Sequence, residues 1–419
     1  MKILIKQAKI ISPSSPFNGQ IKDILITDGK ISLINDSINE KTAKVIAQDG
    51  LCASIGWMDM FADFADPGFE QKESIETGSK AAAAGGFTDV MLIPNSQPVF
   101  DNKAQVEYVV QKAKQVAIHI HPIGAVSKKT EGKDLSEMYD MRQSGAVAFS
   151  DGIKSIQNSA LVLKALQYVK SFDGTIIQIP DDTGIGTNGL MNEGIVSTQM
   201  GLPGKPVLAE ELMVARDLKL ARYADSKIHF TGVSSPKSLE YIKRSKESGI
   251  KVSCSITPYQ VYFCDEDLQG YDTNLKLNPP VRTKADMLAV RAALLDGTID
   301  CVASHHLPQH WDNKTCEFEY ALPGMIALET MFAVLISCGL PAADFVQMQT
   351  VAIRNIFGLP IPEIKENEPA CLTLFVPNAE FVFEENMIQS KSKNSPFIGR
   401  QLKGRVVGII NKSNIQLNN

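Results

Sequence analysis

The sequence predicts an α/β fold, a (β/α)8 TIM-like barrel with a small β-sandwich domain formed by both termini. Three observations carry that expectation. Through the middle of the chain, short apolar runs alternate with amphipathic helical stretches, the pattern of successive βα units. Eight such runs can be counted, the number that closes a barrel. Both ends of the chain hold strand-like runs with no helix between them, and 419 residues suit one large barrel with a small appended domain. The expected division is residues 1–53 plus 366–419 for the β domain and 54–365 for the barrel.

Taken in order, the first segment alternates through Ile3-Leu4-Ile5, Ala8-Lys9-Ile10-Ile11 and Asp23-Ile24-Leu25-Ile26-Thr27. Asp28-Gly29 then separates it from Ile31-Ser32-Leu33-Ile34, a strong hairpin signal. The barrel strands are expected at Trp57–Asp63, Asp89–Pro94, Ala117–Ile123, Ala146–Asp151, Thr175–Pro180, Lys227–Val233, Lys251–Ile256 and Asp300–Ser304. Helices are expected between them, among them Leu161–Lys170, Ala209–Ala224, Pro236–Glu247 and Lys284–Leu295. The tail returns to strands at Cys371–Phe375, Phe381–Phe383 and Arg405–Ile410, placed to pair with the N-terminal runs.

Composition excludes several classes. A net charge of −5 with acids and bases interleaved leaves no basic stripe for nucleic acid or an anionic membrane. No apolar run is long enough to span a bilayer, and Met1-Lys2-Ile3-Leu4-Ile5 does not read as a signal peptide. Seven scattered cysteines without a C-x-x-C pair read as reduced thiols of a cytoplasmic protein.

Active sites in this fold lie at the C-terminal ends of the strands, so those ends are where chemistry is sought. The first reads Phe61-Ala62-Asp63, and residues two apart on a strand share a face. The fourth ends in Ser150-Asp151-Gly152, the fifth in Ile179-Pro180-Asp181-Asp182, the sixth in Thr231-Gly232-Val233-Ser234, and the eighth in Ser304-His305-His306-Leu307-Pro308-Gln309. Neighbouring His305 and His306 face opposite ways on a strand and cannot chelate one ion without a bend. His119-Ile120-His121 on the third strand has a chelating spacing but no further ligands nearby in sequence, so polar or packing contacts are expected of it.

These segments resemble the dihydroorotase family of the amidohydrolase superfamily over nearly the whole chain. The matching motifs include Gly56-Trp57-Met58-Asp59-Met60, Asp66-Pro67-Gly68, Ala81 to Thr88, Pro94-Asn95-Ser96, the run Tyr271 to Arg282, Leu328-Glu329-Thr330 and Ser390 to Arg400. The resemblance implies a zinc-dependent cyclic amide hydrolase of pyrimidine biosynthesis, in which zinc lowers the pKa of its water to roughly 7. It also implies where this chain departs. Phe61 and Asp63 stand at the paired histidine ligands, Ile179 and Gly232 at the other two, and Asp151 at the family's aspartate ligand. His305 stands at the catalytic aspartate, while Ala65 and Gln309 replace an arginine and a histidine that touch substrate. Asn95 and Asn278 match residues lining the substrate pocket.

Groups that act as one unit are lost together, and Phe61 and Ile179 would put apolar volume into a metal cavity. The chain is therefore similar to the family's inactive, metal-ligand-deficient homologues. No cofactor is expected. The role implied is structural or regulatory, with aspartate carbamoyltransferase or a second copy of the chain as partner. The alternative is a cyclic amide hydrolase with a rebuilt site, metal-bound or metal-free, that uses Asp63, Asp151 and His305, with Asp181 nearby.

Overall fold

The computed structural model describes residues 1–418. Eight parallel strands follow one another in chain order around a barrel: Trp57–Ala62, Phe87–Leu92, His119–Gly124, Ala148–Phe149, Thr175–Gln178, Lys227–Phe230, Val252–Ile256 and Cys301–Val302. The ring closes where Ala62 bridges His306 and the Asp63 N–H donates to the His306 carbonyl at 2.9 Å. Every residue of the first two strands is buried, as expected of strands covered on both faces. Each predicted strand is present, but the fourth and eighth are only two residues long. Their expected last residues leave the ladder. Asp151 turns to bond Ser127, and His305 takes a left-handed φ of 44°.

Local sequence explains the helices between the strands. The helix Pro236–Glu247 starts at Ser235, whose hydroxyl accepts from the Lys237 and Ser238 N–H groups, with proline in the first turn where no N–H is needed. The helix Ile75–Ala84 starts at Ser74 with a reciprocal bond to Thr77 and stops at Gly85. A C-terminal helical run, Met331–Ser337 to Ile353–Phe357, packs against the barrel, and Gln349 Nε2 donates to the Val302 carbonyl at 2.8 Å.

The terminal strands form one continuous sheet. Its order is Asn414–Leu417, Gln401–Asn411, Cys371–Val382, Cys52–Ile55, Lys2–Ile10, Ile21–Thr27 and Lys30–Asn35, with Lys44–Ile46 also paired to Lys2–Ile10. Thr27 and Lys30 pair across the Asp28-Gly29 turn. Lys30 also bridges Pro369, so the far strand folds back towards Cys371–Val382 and the two layers of the sandwich are two ends of one sheet. Ile3, Ile5, Ile10, Ile24, Leu372 and Ile410 fill the space between. All seven cysteines are free thiols. No helix among the described residues is long and apolar enough to cross a membrane.

Candidate site at the barrel mouth

The first strand delivers Phe61 to the mouth, and Asp63 follows directly after it, partly buried. Phe61 is fully buried, and its ring stacks on His305 with centroids 4.4 Å apart and planes 28° from parallel. Asp63 caps its own turn, accepting the Ala65 N–H at 2.7 Å. Burial pushes its carboxyl above the ordinary range, and the Ala65 bond only partly offsets this.

The neighbouring strand ends are equally occupied. Ile179 is buried, and its carbonyl accepts from Ser155. Gly232 has φ +73°, and a Cβ placed there would stand 2.9 Å from His305 Cε1. The His305 ring thus fills the space into which a side chain at 232 would project. His305 Nε2 lies 2.8 Å from Thr231 Oγ1, and its Nδ1 has no protein partner. Burial lowers its pKa to about 3, so the ring is neutral. Beneath it, Ser304 anchors the strand by donating its N–H and hydroxyl to Asp59 at 2.7 and 2.8 Å.

Asp151 is held by the third strand's loop, accepting the Ser127 N–H at 2.9 Å and the Ser127 hydroxyl. Burial raises its pKa against those bonds. Asn95 is built into the same loop. Its amide donates to the Asp151 carbonyl at 3.1 Å and accepts from the Ile153 N–H at 2.9 Å, and its Oδ1 lies 1.7 Å from where a Cβ at Gly152 would be. Asn278 instead joins an ion pair. Lys205 Nζ reaches Asp181 at 2.5 Å and Asn278 Oδ1 at 2.8 Å. Gln309 donates to the Pro323 carbonyl at 3.0 Å.

The four polar residues that composed the expected rebuilt site are thus dispersed among separate partners: Asp63 on Ala65, Asp151 on Ser127, His305 on Thr231 and Asp181 on Lys205. Among the described residues, no three histidine, cysteine, aspartate or glutamate side chains are placed to hold a metal ion. The residues present do not fit the family's zinc. At the four positions that the resemblance would give to histidine ligands stand a stacked phenyl ring, a carboxylate committed to a turn, a buried isoleucine and a glycine whose side-chain space is taken.

Sequence reading missed two features. Lys205, which ties Asp181 to Asn278, lies on the short strand Gly204–Lys205, 24 residues from one and 73 from the other. His306 faces buried Glu73 at 3.7 Å, and Glu73 also accepts the Ser390 hydroxyl and the Lys391 N–H, so the tail segment is pinned beside the mouth. No local pattern announces either contact. The His119–His121 pair meets its partner in Asp89, at 3.5 and 2.9 Å.

A family model described as dihydro-orotase-like matches residues 53–238. The dihydroorotase of Acetivibrio thermocellus is 40% identical over 419 residues, 99% of this chain and 98% of that one. The dihydroorotase of Syntrophus aciditrophicus is 38% identical over 414 residues, 97% of each chain. Among solved structures, L-hydantoinase (dihydropyrimidinase) from Arthrobacter aurescens superposes with a TM-score of 0.86 at 19% identity, covering 99% of this chain and 96% of that one.

Proposed function

The chain belongs to the dihydroorotase-like family, and from that premise we propose that its barrel performs no zinc-dependent ring hydrolysis and serves pyrimidine biosynthesis in a structural or regulatory role. The observation that supports this reading is the Phe61–His305 stack beside Gly232, three residues at positions that the resemblance assigns to metal ligands and the catalytic aspartate. A dication there would meet a phenyl ring and a neutral imidazole, and burying a charge without ligands is costly. A surface that binds aspartate carbamoyltransferase, or a second copy of the chain, gives a barrel without hydrolysis a reason to keep its loops. The protein so described is soluble and cytoplasmic.

A second reading is favoured by the names of the full-length relatives, which are dihydroorotases. It holds that Asp63, Asp151 and His305 carry cyclic amide hydrolysis in altered form. One experiment separates the two. The protein is purified without chelators, its metal is counted, and dihydroorotate turnover is measured with and without added zinc. The first reading expects no stoichiometric metal, no turnover and co-elution with aspartate carbamoyltransferase. Turnover without metal supports the second, and stoichiometric zinc with turnover sinks the first.

A further inference from the structure

Two long loops leave the mouth end of the barrel, residues 257–283 after the seventh strand and 303–330 after the eighth, and buried lysines sew them together. Thr273 and Lys314 join reciprocally. Lys314 Nζ donates to the Thr273 carbonyl at 2.9 Å, and Thr273 Oγ1 donates to the Lys314 carbonyl at 2.7 Å. Lys314 Nζ also donates to the Leu322 carbonyl at 2.7 Å, across a turn in which the Leu322 N–H donates to the Asn313 carbonyl at 3.1 Å. Further along the first loop, Lys276 Nζ donates to the Phe318 and Glu319 carbonyls, both at 2.8 Å, and the Lys276 carbonyl accepts the Gly324 N–H at 3.0 Å. The Tyr271 and Phe318 rings meet edge-on, with centroids 6.5 Å apart.

The two lysines differ in the charge that their surroundings accept. Lys314 is 8% exposed and Lys276 7%. Among the described residues neither forms an ion pair, and the acceptors of both are main-chain carbonyls. An ammonium has three N–H donors, a neutral amine two. Lys276 has a third partner in the Phe318 ring, whose centroid lies 5.6 Å from Nζ. Lys314 has two carbonyls and no third acceptor, so its surroundings match a neutral amine. Burial lowers its pKa to about 7, Lys276 pushes the same way, and Asp272 and Cys316 oppose it.

We propose that the two loops open and close as one strap at the barrel mouth, and that the strap closes on the neutral Lys314 amine and opens with uptake of one proton. On opening, the amine leaves the Thr273 and Leu322 carbonyls for water and takes its proton from solvent. It then has the ordinary lysine value of 10.5. The closed value is the lower of the two, so between pH 7 and pH 10.5 the open strap binds more protons than the closed one. Opening therefore becomes easier as pH falls through that window and levels off below it. The inference holds whether or not the mouth turns anything over, so it stands or falls apart from the proposed function.

The test is hydrogen exchange of the full chain, read by mass spectrometry on peptides covering 268–277 and 311–323 and corrected for the intrinsic exchange rate at each pH. The expected result is one opening constant shared by both peptides, falling about tenfold per pH unit between pH 7.5 and pH 9 and flat below pH 6.5. Lys314→Met keeps the apolar stem without the amine. It should raise the opening constant of both peptides together and abolish the pH slope. If that variant leaves the strap open throughout, Thr273→Val decides, because it removes one seam and keeps the amine. Both opening constants should then rise with the slope intact. Unequal constants in the wild type, or a Thr273→Val effect confined to one peptide, overturn the single strap. A wild-type constant indifferent to pH, or a slope that survives Lys314→Met, overturns the link to Lys314.

Discussion

At one end of the barrel, His119 and His121 reach a single carboxylate, Asp89, which also receives the Arg354 guanidinium at 2.8 Å. At the other end, His305 lies against Phe61, with a threonine hydroxyl as its sole side-chain hydrogen-bonding partner among the described residues. The floor concentrates charge and satisfies it. Burial alone would raise the Asp89 pKa, yet the two histidines and Arg354 hold it well below the usual carboxylate range. At His305 no neighbouring charge offsets burial, and the ring is held neutral. The same residue type is thus in opposite settings within one barrel. A His-x-His spacing says nothing about which setting it will meet. The carboxylate within reach decides.

The comparison can be broken most severely at the floor. Arg354→Met removes the cation from a buried pair and leaves Asp89 with the two imidazoles and the Thr88 hydroxyl, which donates to it at 2.8 Å. Breaking one side of a buried ion pair costs about 3–5 kcal/mol. Urea denaturation should show a loss of that order. A loss below about 1 kcal/mol would mean that the histidines and Thr88 satisfy Asp89 and that the floor is not organised around the guanidinium.

A smaller effect is expected where the mouth is tightest. Gly232→Ala places a methyl group 2.9 Å from His305 Cε1 at a φ of +73°. Left-handed strain for a non-glycine residue costs on the order of 1–3 kcal/mol, and the contact adds to it. The two terms separate in a double-mutant cycle with His305→Ala. The strain remains when His305 is truncated, and the steric term disappears. A coupling of about 0.5–3 kcal/mol is expected of residues in contact. No coupling would mean that His305 can swing aside, leaving room at 232 for a side chain such as the family's ligand.

Much of this contrast was legible in the sequence, and the rest had a physical reason to be hidden. The helices Pro236–Glu247 and Lys284–Leu295 fall on the expected residues because serine and threonine caps mark their starts. The strands are found but run shorter at the mouth, because a residue aimed at the mouth surrenders its ladder bonds. Phe61, Ile179 and Gly232 were readable as unable to ligate, since that follows from side-chain chemistry alone. What they touch was not readable. The stack of Phe61 on His305 joins residues 244 positions apart, and the Asp181–Lys205–Asn278 network joins three separate segments. Periodicity reports the environment of a residue and carries no record of its distant partner. Asn95 makes the same point. Its motif is that of a pocket residue, yet both ends of its amide are engaged by the Asp151–Ile153 loop.

The smallest expected effect, the slope of stability with pH, sharpens the comparison without removing any packing at the floor. His229 and His305 have folded pKa values of about 3, below the 6.5 of a free imidazole. A depressed folded value means that the unfolded chain binds more protons between those limits. Each ring therefore contributes stability that is complete above pH 6.5 and is lost as pH falls towards 3, at about 1.4 kcal/mol per pH unit. Asp89 is also depressed, but from the carboxylate value of 3.8, so its contribution is lost only below about pH 4. Between pH 6 and pH 4.5 the slope from the two histidines is present, because only their unfolded-state imidazoles take up protons there, and the slope from Asp89 is absent. Comparing wild type with His305→Gln cancels the groups common to both, so the difference in slope over that window reads His305 alone. Urea denaturation at several pH values should show the slope reduced by about 1.4 kcal/mol per pH unit in the variant. Equal slopes would place a charge-stabilising partner beside His305 and erase the electrostatic difference between the two ends of the barrel.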